Sequence, residues 1–319
     1  MPEKIVIVSA SSFQFFHFLT GMILSVKDKE RGTSVDICVY DLGMSDEQRK
    51  WLDVRNVQVT APTWEFGITE LDGFSNPFKG ILARPMMRKY FPGYDVYMQL
   101  DADAWIQGWE GVDTYVAGAR KGVIAVAPEI ERAYAGHFRL SPEYRALVEE
   151  IMQGCGGEEY AEKFRYYPCI NTGVFAMHRD SPLWDLWAQE LKKSMETSRH
   201  HAVEQASLNV AIFDRLEEWI REGLQFLPAV YNWLCHQALP MYDKERELIV
   251  EPFLPHAPVR VIHRSTDDFK NSNAADVRTV QGDTVRMNLK YREGQHPEAQ
   301  DHLEVKLEDW QAPTWVHSA

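Results

Sequence analysis

The stretch YDVYMQLDADAWIQG, residues 94–108, determines the interpretation of the whole chain. Apolar and aromatic residues alternate from Tyr94 to Leu100, which predicts a buried strand. Because side chains on a strand alternate between its two faces, Asp101 and Asp103 are expected to point to one side and Ala102 to the other. Two neighbouring carboxylates repel each other unless a cation lies between them. The pattern therefore predicts a site for a divalent metal ion, because hard cations prefer oxygen ligands.

The composition is that of a globular protein of one large domain or two ordinary ones. The chain has 319 residues, of which 45% are hydrophobic and 25% are charged. Its formal net charge of −13 argues against a general affinity for nucleic acids or anionic membranes, because both are polyanions. A small anion such as a phosphate group remains compatible with a local basic patch.

The cysteines and the apolar segments predict a cytoplasmic protein. The four cysteines are scattered and form no pair with the spacing of a zinc site or a disulfide framework. The apolar run in MPEKIVIVSASS is too short for a signal peptide and leads directly into a predicted strand. No segment approaches the roughly 18–20 apolar residues of a membrane span.

Strand patterns alternate with helical patterns from the first residues onward. KIVIVSA, VDICVYDLG and NVQVTA predict strands, and helical spacing of apolar residues lies between them. This alternation predicts the α/β class, with a mostly parallel central sheet and helices on both of its faces. No interdomain linker is evident, so we predict one catalytic domain over residues 1–265 and a C-terminal extension, 266–319, that packs on the same domain.

Short motifs follow the aspartate pair in a recognisable order. They are CINTGVFAMHR, EQASLN, LPAVYNW and VIHRSTDDFK, and KIVIVSASS precedes the pair. Over roughly residues 4–270 this order resembles the nucleotide-sugar glycosyltransferases of the GT-A (Rossmann-like) fold, most closely those of glycosyltransferase family 8. The last motif departs from the family pattern H-x-x-G-x-x-K-P-W, because Thr266 replaces the glycine and Lys270 falls one place late.

The resemblance implies a UDP-sugar as donor, and a saccharide or another hydroxyl compound as acceptor. It implies that Asp101, Asp103 and His263 hold Mn²⁺ (or Mg²⁺) at the diphosphate. Small residues after the first strand are expected to allow the base to approach, and basic residues are expected to neutralise the phosphates. The donor-binding residues so expected are Ser9, Ala10, Ser11, Lys79, Arg84, Asp101, Ala102, Asp103, Asn171, Thr172, Gly173 and Lys270.

If the family match holds, the sugar keeps its anomeric configuration. A double displacement would need a carboxylate nucleophile, whereas a front-face attack is guided by the leaving phosphate. Position 205 is a glutamine, which is a poor nucleophile, so we favour the front-face route. Gln205 then positions the reacting groups, and Glu204 binds sugar hydroxyls.

Other classes fit less well or stay open. Phosphatases and phosphotransferases with an aspartyl nucleophile need a different sequence after the aspartates than Ala104–Trp105. A nucleotidyltransferase needs a glycine-rich basic loop after the first strand, and a dinucleotide enzyme needs G-x-G-x-x-G. A non-catalytic nucleotide-sugar binding protein and a GT-A transferase that uses another nucleotide stay open. His200–His201 is interpreted as the end of a helix, because adjacent helical side chains diverge.

Overall fold

A seven-stranded sheet forms the centre of the computed structural model, which describes residues 3–69, 72–134, 142–198, 200–265 and 274–291. Its strands and those of the smaller sheets are β1 (Ile5–Ser11), β2 (Asp36–Asp41), β3 (Gln58–Thr60), β4 (Val96–Leu100), β5 (Ala104–Ile106), β6 (Ala125–Pro128), β7 (Ile170–His178), β8 (Gln225–Phe226), β9 (Trp233–Leu234), β10 (Met241–Asp243), β11 (Leu248–Val250), β12 (Val261–His263), β13 (Ala275–Arg278) and β14 (Thr284–Met287). The order in the large sheet is β3-β2-β1-β4-β7-β6-β8.

Helices cover both faces of this sheet. They are α1 (Phe16–Lys27), α2 (Asp46–Asp53), α3 (Pro77–Ala83), α4 (Met87–Tyr90), α5 (Glu110–Ala119), α6 (Pro142–Phe164), α7 (Leu183–Ser194), α8 (Val203–Phe213) and α9 (Leu216–Glu222). One turn of 3-10 helix, Arg84–Met86, joins α3 to α4 at Pro85, as the proline predicts. Val6 and Val8 of β1 pack in one apolar cluster and Ile7 in another, because strand side chains alternate. The predicted α/β class, with helices on both faces, is confirmed.

The direction of β7 determines where the ends of the strands meet. Strands β1, β2 and β4 run parallel, whereas β7 runs antiparallel to both β4 and β6. The sheet is therefore mostly parallel, as predicted, with one reversed strand. Because β7 is reversed, its amino-terminal end lies at the same edge as the carboxyl-terminal ends of β1, β4 and β6. This edge carries the functional residues in an open α/β sheet.

A smaller sheet, β5-β12-β9, lies beside this edge, and the chain after residue 265 contributes to its packing. The sequence suggested no strand there, but β13 and β14 form an antiparallel hairpin. Val277 and Leu289 pack with Trp233 and Ile262 in a third apolar cluster. The boundary predicted at residue 265 stays a prediction. No helix in the described ranges is long and apolar enough to cross a lipid bilayer.

His17, on α1, makes the stability depend on pH. Burial and then the charge of Lys290 lower the pKa of His17 from 6.5 to about 4. Between pH 6.5 and about pH 4, the unfolded chain therefore binds a proton at His17 that the folded chain does not bind. Stability falls as pH falls through this window. We expect His17 to make the free energy of unfolding about 1–2 kcal/mol lower at pH 5 than at pH 7.

Urea unfolding at both pH values tests this prediction. His17→Asn keeps a donor for the Gln14 carbonyl, which His17 Nδ1 contacts at 2.9 Å, and should reduce the difference between the two pH values. The control His256→Asn is suitable because asparagine tolerates the φ of 57° at that position. A difference that is equal in wild type and His17→Asn would contradict the prediction.

Candidate active site

A cavity of about 470 Å³ opens at the edge of the sheet where the strand ends meet. Its walls come from the end of β1, from β2, from one face of α3, from the segment after β4 and from the loop before α8. The lining residues are Ala10, Ser11, Ser12, Phe15, Tyr40, Leu42, Pro77, Gly80, Ile81, Arg84, Gln99, Asp101, Ala102, Asp103 and His201. The cavity is large enough for part of a nucleotide and combines apolar walls with a charged end.

Three candidate metal ligands meet at the charged end of this cavity. One ligand atom each from Asp101, Asp103 and His263 lies within 4.8 Å of the other two. Atoms that bind one ion at 2.0–2.6 Å lie no more than about 5 Å apart, so the cluster fits a single cation. Two carboxylates and one imidazole supply oxygen and nitrogen ligands of the kinds that bind divalent cations.

The two aspartates come together through a turn and not through strand alternation. Strand β4 ends at Leu100, and the amide of Ala104 donates to the carbonyl oxygen of Asp101 at 2.9 Å. The predicted geometry was therefore wrong, although the predicted proximity is observed. Strand β12 pairs antiparallel with β5, and His263 lies opposite Ala104. This pairing places the histidine beside the turn.

Asn232 fixes the tautomer of His263. The Asn232 Nδ2 donates to Asn171 Oδ1 at 3.3 Å, so the amide oxygen of Asn232 faces the imidazole. His263 Nδ1 therefore carries the proton and donates to Asn232 Oδ1 at 2.9 Å. The lone pair of Nε2 then faces Asp103 Oδ1, 3.4 Å away. Such an outer hydrogen bond is typical of histidines that bind a metal.

Arg84 connects this cluster to a buried carboxylate. Its Nη2 donates to Asp101 Oδ1 at 2.5 Å, and its Nη1 donates to Glu204 Oε2 and Thr172 Oγ1, both at 2.9 Å. Burial opposes the charge of Arg84, but Asp101 and Glu204 outweigh it and raise the pKa of the guanidinium. Asp101 Oδ2 accepts no hydrogen bond from the described residues and stays available to a cation.

Glu204 lies in the first turn of α8 and is 2% exposed. Burial raises the pKa of Glu204, and the attraction of Arg84 and the hydrogen bond from Thr172 only partly offset it. Its Oε1 is buried and has no hydrogen-bond partner in the described part of the chain. Glu204 was predicted to bind sugar hydroxyls, and the structure shows it held by protein groups on one oxygen only.

Gly173 permits the close approach of these groups. A Cβ at this position would lie 2.4 Å from His263 Cε1, 2.7 Å from Asp101 Oδ2 and 2.8 Å from Asn171 Oδ1. The segment Asn171–Gly173 belongs to the start of β7, where Gly173 accepts from the Asp101 amide at 2.8 Å. The predicted Asn171, Thr172 and Gly173 are therefore brought to the aspartate pair.

Some of the remaining residues that were predicted to bind the donor line the cavity, and others do not. Ala10 and Ser11 line it, whereas Ser9 is buried behind them and its Oγ has no partner among the described residues. Lys79 points away, with its Nζ 4.8 Å from the centre of the Trp64 ring. Lys270 lies outside the described residues.

Several residues at the site were not predicted from the sequence. Asn232 orients His263, Gln99 donates to Asp101 Oδ1 at 2.8 Å, and His201 lines the cavity although its dipeptide was interpreted as a helix end. Gln205, which was predicted, is partly exposed beside Cys169, and its Nε2 donates to the Cys169 sulfur at 3.0 Å.

The fold is that of the GT-A glycosyltransferases. Of the solved structures that match, the glycosyltransferase GlyE of Streptococcus pneumoniae is 15% identical, with a TM-score of 0.50 over 97% of this chain and 63% of that chain. The bifunctional glycosyltransferase WbbM is 12% identical, with a TM-score of 0.50 over 84% of this chain and 46% of that chain.

A structure of the galactosyltransferase LgtC with donor and acceptor sugar analogues is 13% identical over 82% of this chain and 87% of that chain, with a TM-score of 0.49. No family model and no curated protein matches the sequence. At identities this low the likeness establishes the fold alone.

Proposed function

We propose that this chain is a metal-dependent glycosyltransferase that moves a hexose from UDP-hexose to a hydroxyl group of a saccharide or another acceptor. The observation that carries the proposal is the cluster of Asp101, Asp103 and His263 at the charged end of the cavity. The order of motifs further supports a place near family 8, and hence retention of the anomeric configuration.

Loss of a sugar from a nucleotide diphosphate leaves negative charge on the β-phosphate. A divalent cation bound by Asp101, Asp103 and His263 would supply Lewis-acid stabilisation of this charge. The imidazole of His263, held by Asn232, keeps its lone pair directed at the cluster. Arg84 adds a fixed positive charge beside Asp101, in a position to stabilise the departing phosphate.

The sugar would lie between the metal cluster and the first turn of α8. Glu204 has one buried oxygen without a partner, which can accept from a sugar hydroxyl. Gln205 is neutral and cannot act as a strong nucleophile, so the attacking hydroxyl would approach on the face from which UDP leaves. This assignment makes Gln205 a group that stabilises developing positive charge, and no covalent glycosyl intermediate is needed.

Calorimetric titration with UDP, with and without Mn²⁺, tests the proposal. We expect binding that requires the metal and that Asp103→Asn weakens at least about 100-fold, because one ligand oxygen is lost. The matched control is Asp180→Asn, a carboxylate with a side chain 75% exposed, at the other end of β7, and it should bind UDP like the wild type.

Further titrations separate the alternatives. Binding of GDP or CDP in place of UDP would keep the fold assignment and reject the family. Metal-dependent UDP binding without hydrolysis or transfer of any UDP-hexose would favour a non-catalytic nucleotide-sugar binding protein. Failure of all nucleotides to bind in the presence of Mn²⁺ would overturn the proposed function.

A further inference from the structure

Among the residues that the structure describes, the side-chain amide of Gln205 has one hydrogen-bond partner. Its Nε2 donates to the sulfur of Cys169 at 3.0 Å. Its Oε1 has no hydrogen-bond partner among the described residues. Nitrogen and oxygen occupy opposite corners of the amide, so an amide with its nitrogen on Cys169 directs its oxygen away from that residue.

The backbones that carry the two residues are fixed by Asn209. Its Nδ2 donates to the carbonyl oxygen of Gln205 at 2.7 Å and to that of Ile170 at 3.0 Å. Its Oδ1 accepts from the Ile170 amide at 2.7 Å. Helix α8 is thus joined to the start of β7, and Cys169 immediately precedes that strand. The contact between Cys169 and Gln205 therefore connects two rigid elements.

The chemistry of Cys169 suits an acceptor and not a nucleophile. Burial and then the nearby carboxylate of Glu129 raise the pKa of its thiol. The thiol therefore stays protonated at working pH, and only thiolates react readily. A neutral thiol keeps sulfur lone pairs that accept from an amide N–H.

We propose that Cys169 is a positioning residue that holds the amide of Gln205 so that its carbonyl oxygen, and not its N–H group, faces the donor sugar. This inference rests on the proposed function. A carbonyl oxygen is the negative end of the amide dipole, so it stabilises the positive charge that develops on the sugar in the transition state. An amide turned the other way would present a donor and oppose that charge.

Mn²⁺-dependent hydrolysis of UDP-glucose and UDP-galactose, with water as acceptor, provides the assay. Cys169→Ala should lower kcat about tenfold, because one hydrogen bond that orients the amide is lost. Its KM and its calorimetric Kd for UDP should stay within about twofold of the wild-type values, because Cys169 acts only in the transition state. Cys169→Ser keeps an acceptor and should retain most of kcat. The control Cys155→Ala removes another buried thiol, on α6, and should have no effect.

A double-mutant cycle distinguishes positioning from packing. If Cys169 acts through Gln205, adding Cys169→Ala to Gln205→Ala should lower kcat no further. Cys169→Val replaces Cys169→Ala in the cycle if the thermal unfolding of the alanine variant shows that it is not folded. Additive losses, or a loss confined to KM, would overturn the inference while the proposed function stands. Absence of turnover in the wild type with any UDP-hexose would overturn the proposed function, and the inference with it.

Discussion

Replacing Arg84 by methionine is expected to lower the free energy of unfolding by about 3 kcal/mol. The guanidinium is the cation that compensates Glu204, and it also bonds to Asp101. Without it, the carboxylate of Glu204 keeps only its hydrogen bond from Thr172. Removing one partner of a buried ion pair costs about 3–5 kcal/mol, and the low end applies because the Arg84 side chain is 18% exposed.

The loss in Arg84→Met should grow as pH rises. Burial already raises the pKa of Glu204 above its usual 4.5, and removal of the cation raises it further. In the window above pH 4.5 the folded variant then holds a proton that the unfolded chain has released, so stability falls as pH rises through this window. Urea unfolding at pH 5 and pH 8 measures the difference.

Arg88→Met is the matched control for Arg84→Met. Arg88 lies one helical turn further along, and its Nη2 pairs with Asp185, a side chain that is 75% exposed. Such surface pairs contribute about 0–1 kcal/mol. The double variant Arg84→Met/Glu204→Gln should regain part of the lost stability, because the buried charge is gone. Equal losses in Arg84→Met and Arg88→Met would contradict the interpretation of Arg84.

Replacing Gly173 by alanine is expected to weaken Mn²⁺-dependent UDP binding by about 100-fold. The new methyl group would meet His263, Asp101 and Asn171, each at less than 3.0 Å. These residues come from three separate segments, so no single small shift relieves all three contacts. Displacement of two candidate metal ligands and of the residue that supports Asn232 should open the cluster.

Calorimetry with Mn²⁺ and UDP measures this effect, and thermal unfolding shows whether the variant is folded. Gly21→Ala is the control, because, of the described residues, a Cβ on Gly21 of α1 would meet only Tyr291 Cβ, at an ordinary 3.7 Å. Alanine is favoured over glycine within a helix, so the control should be at least as stable as the wild type. Wild-type UDP affinity in a folded Gly173→Ala protein would place the metal elsewhere.

The parts of the structure that the sequence predicted are those encoded in neighbouring residues. Apolar alternation located β1, β2 and β4, and Ser45, a residue type preferred at the N-cap, begins α2 with a capping box. The direction of β7 was not predictable, because alternation is the same for a parallel and an antiparallel strand. Helix α5 was also missed, because Gly111 and Gly118 weaken its helical pattern.

At the site, the order of motifs predicted the residues that meet but not how they are connected. The link from His263 through Asn232 to Asn171 joins three distant segments, and nothing local indicates it. The same holds for Cys169 and Gln205. Lys79 does not line the cavity, whereas Gly80 and Arg84, four residues apart, both do. The donor-binding role of Lys79 stays a prediction.

The pairing of β12 with β5 has a consequence for the time at which the metal cluster is completed during synthesis. His263 follows Asp103 by about 160 positions, so a ribosome working at about 5–20 residues per second adds it roughly 8–32 s later. Throughout that interval the nascent chain contains both aspartates without their imidazole partner. Two carboxylates alone hold divalent cations loosely, so we expect tight capture of a cation to await the synthesis of β12.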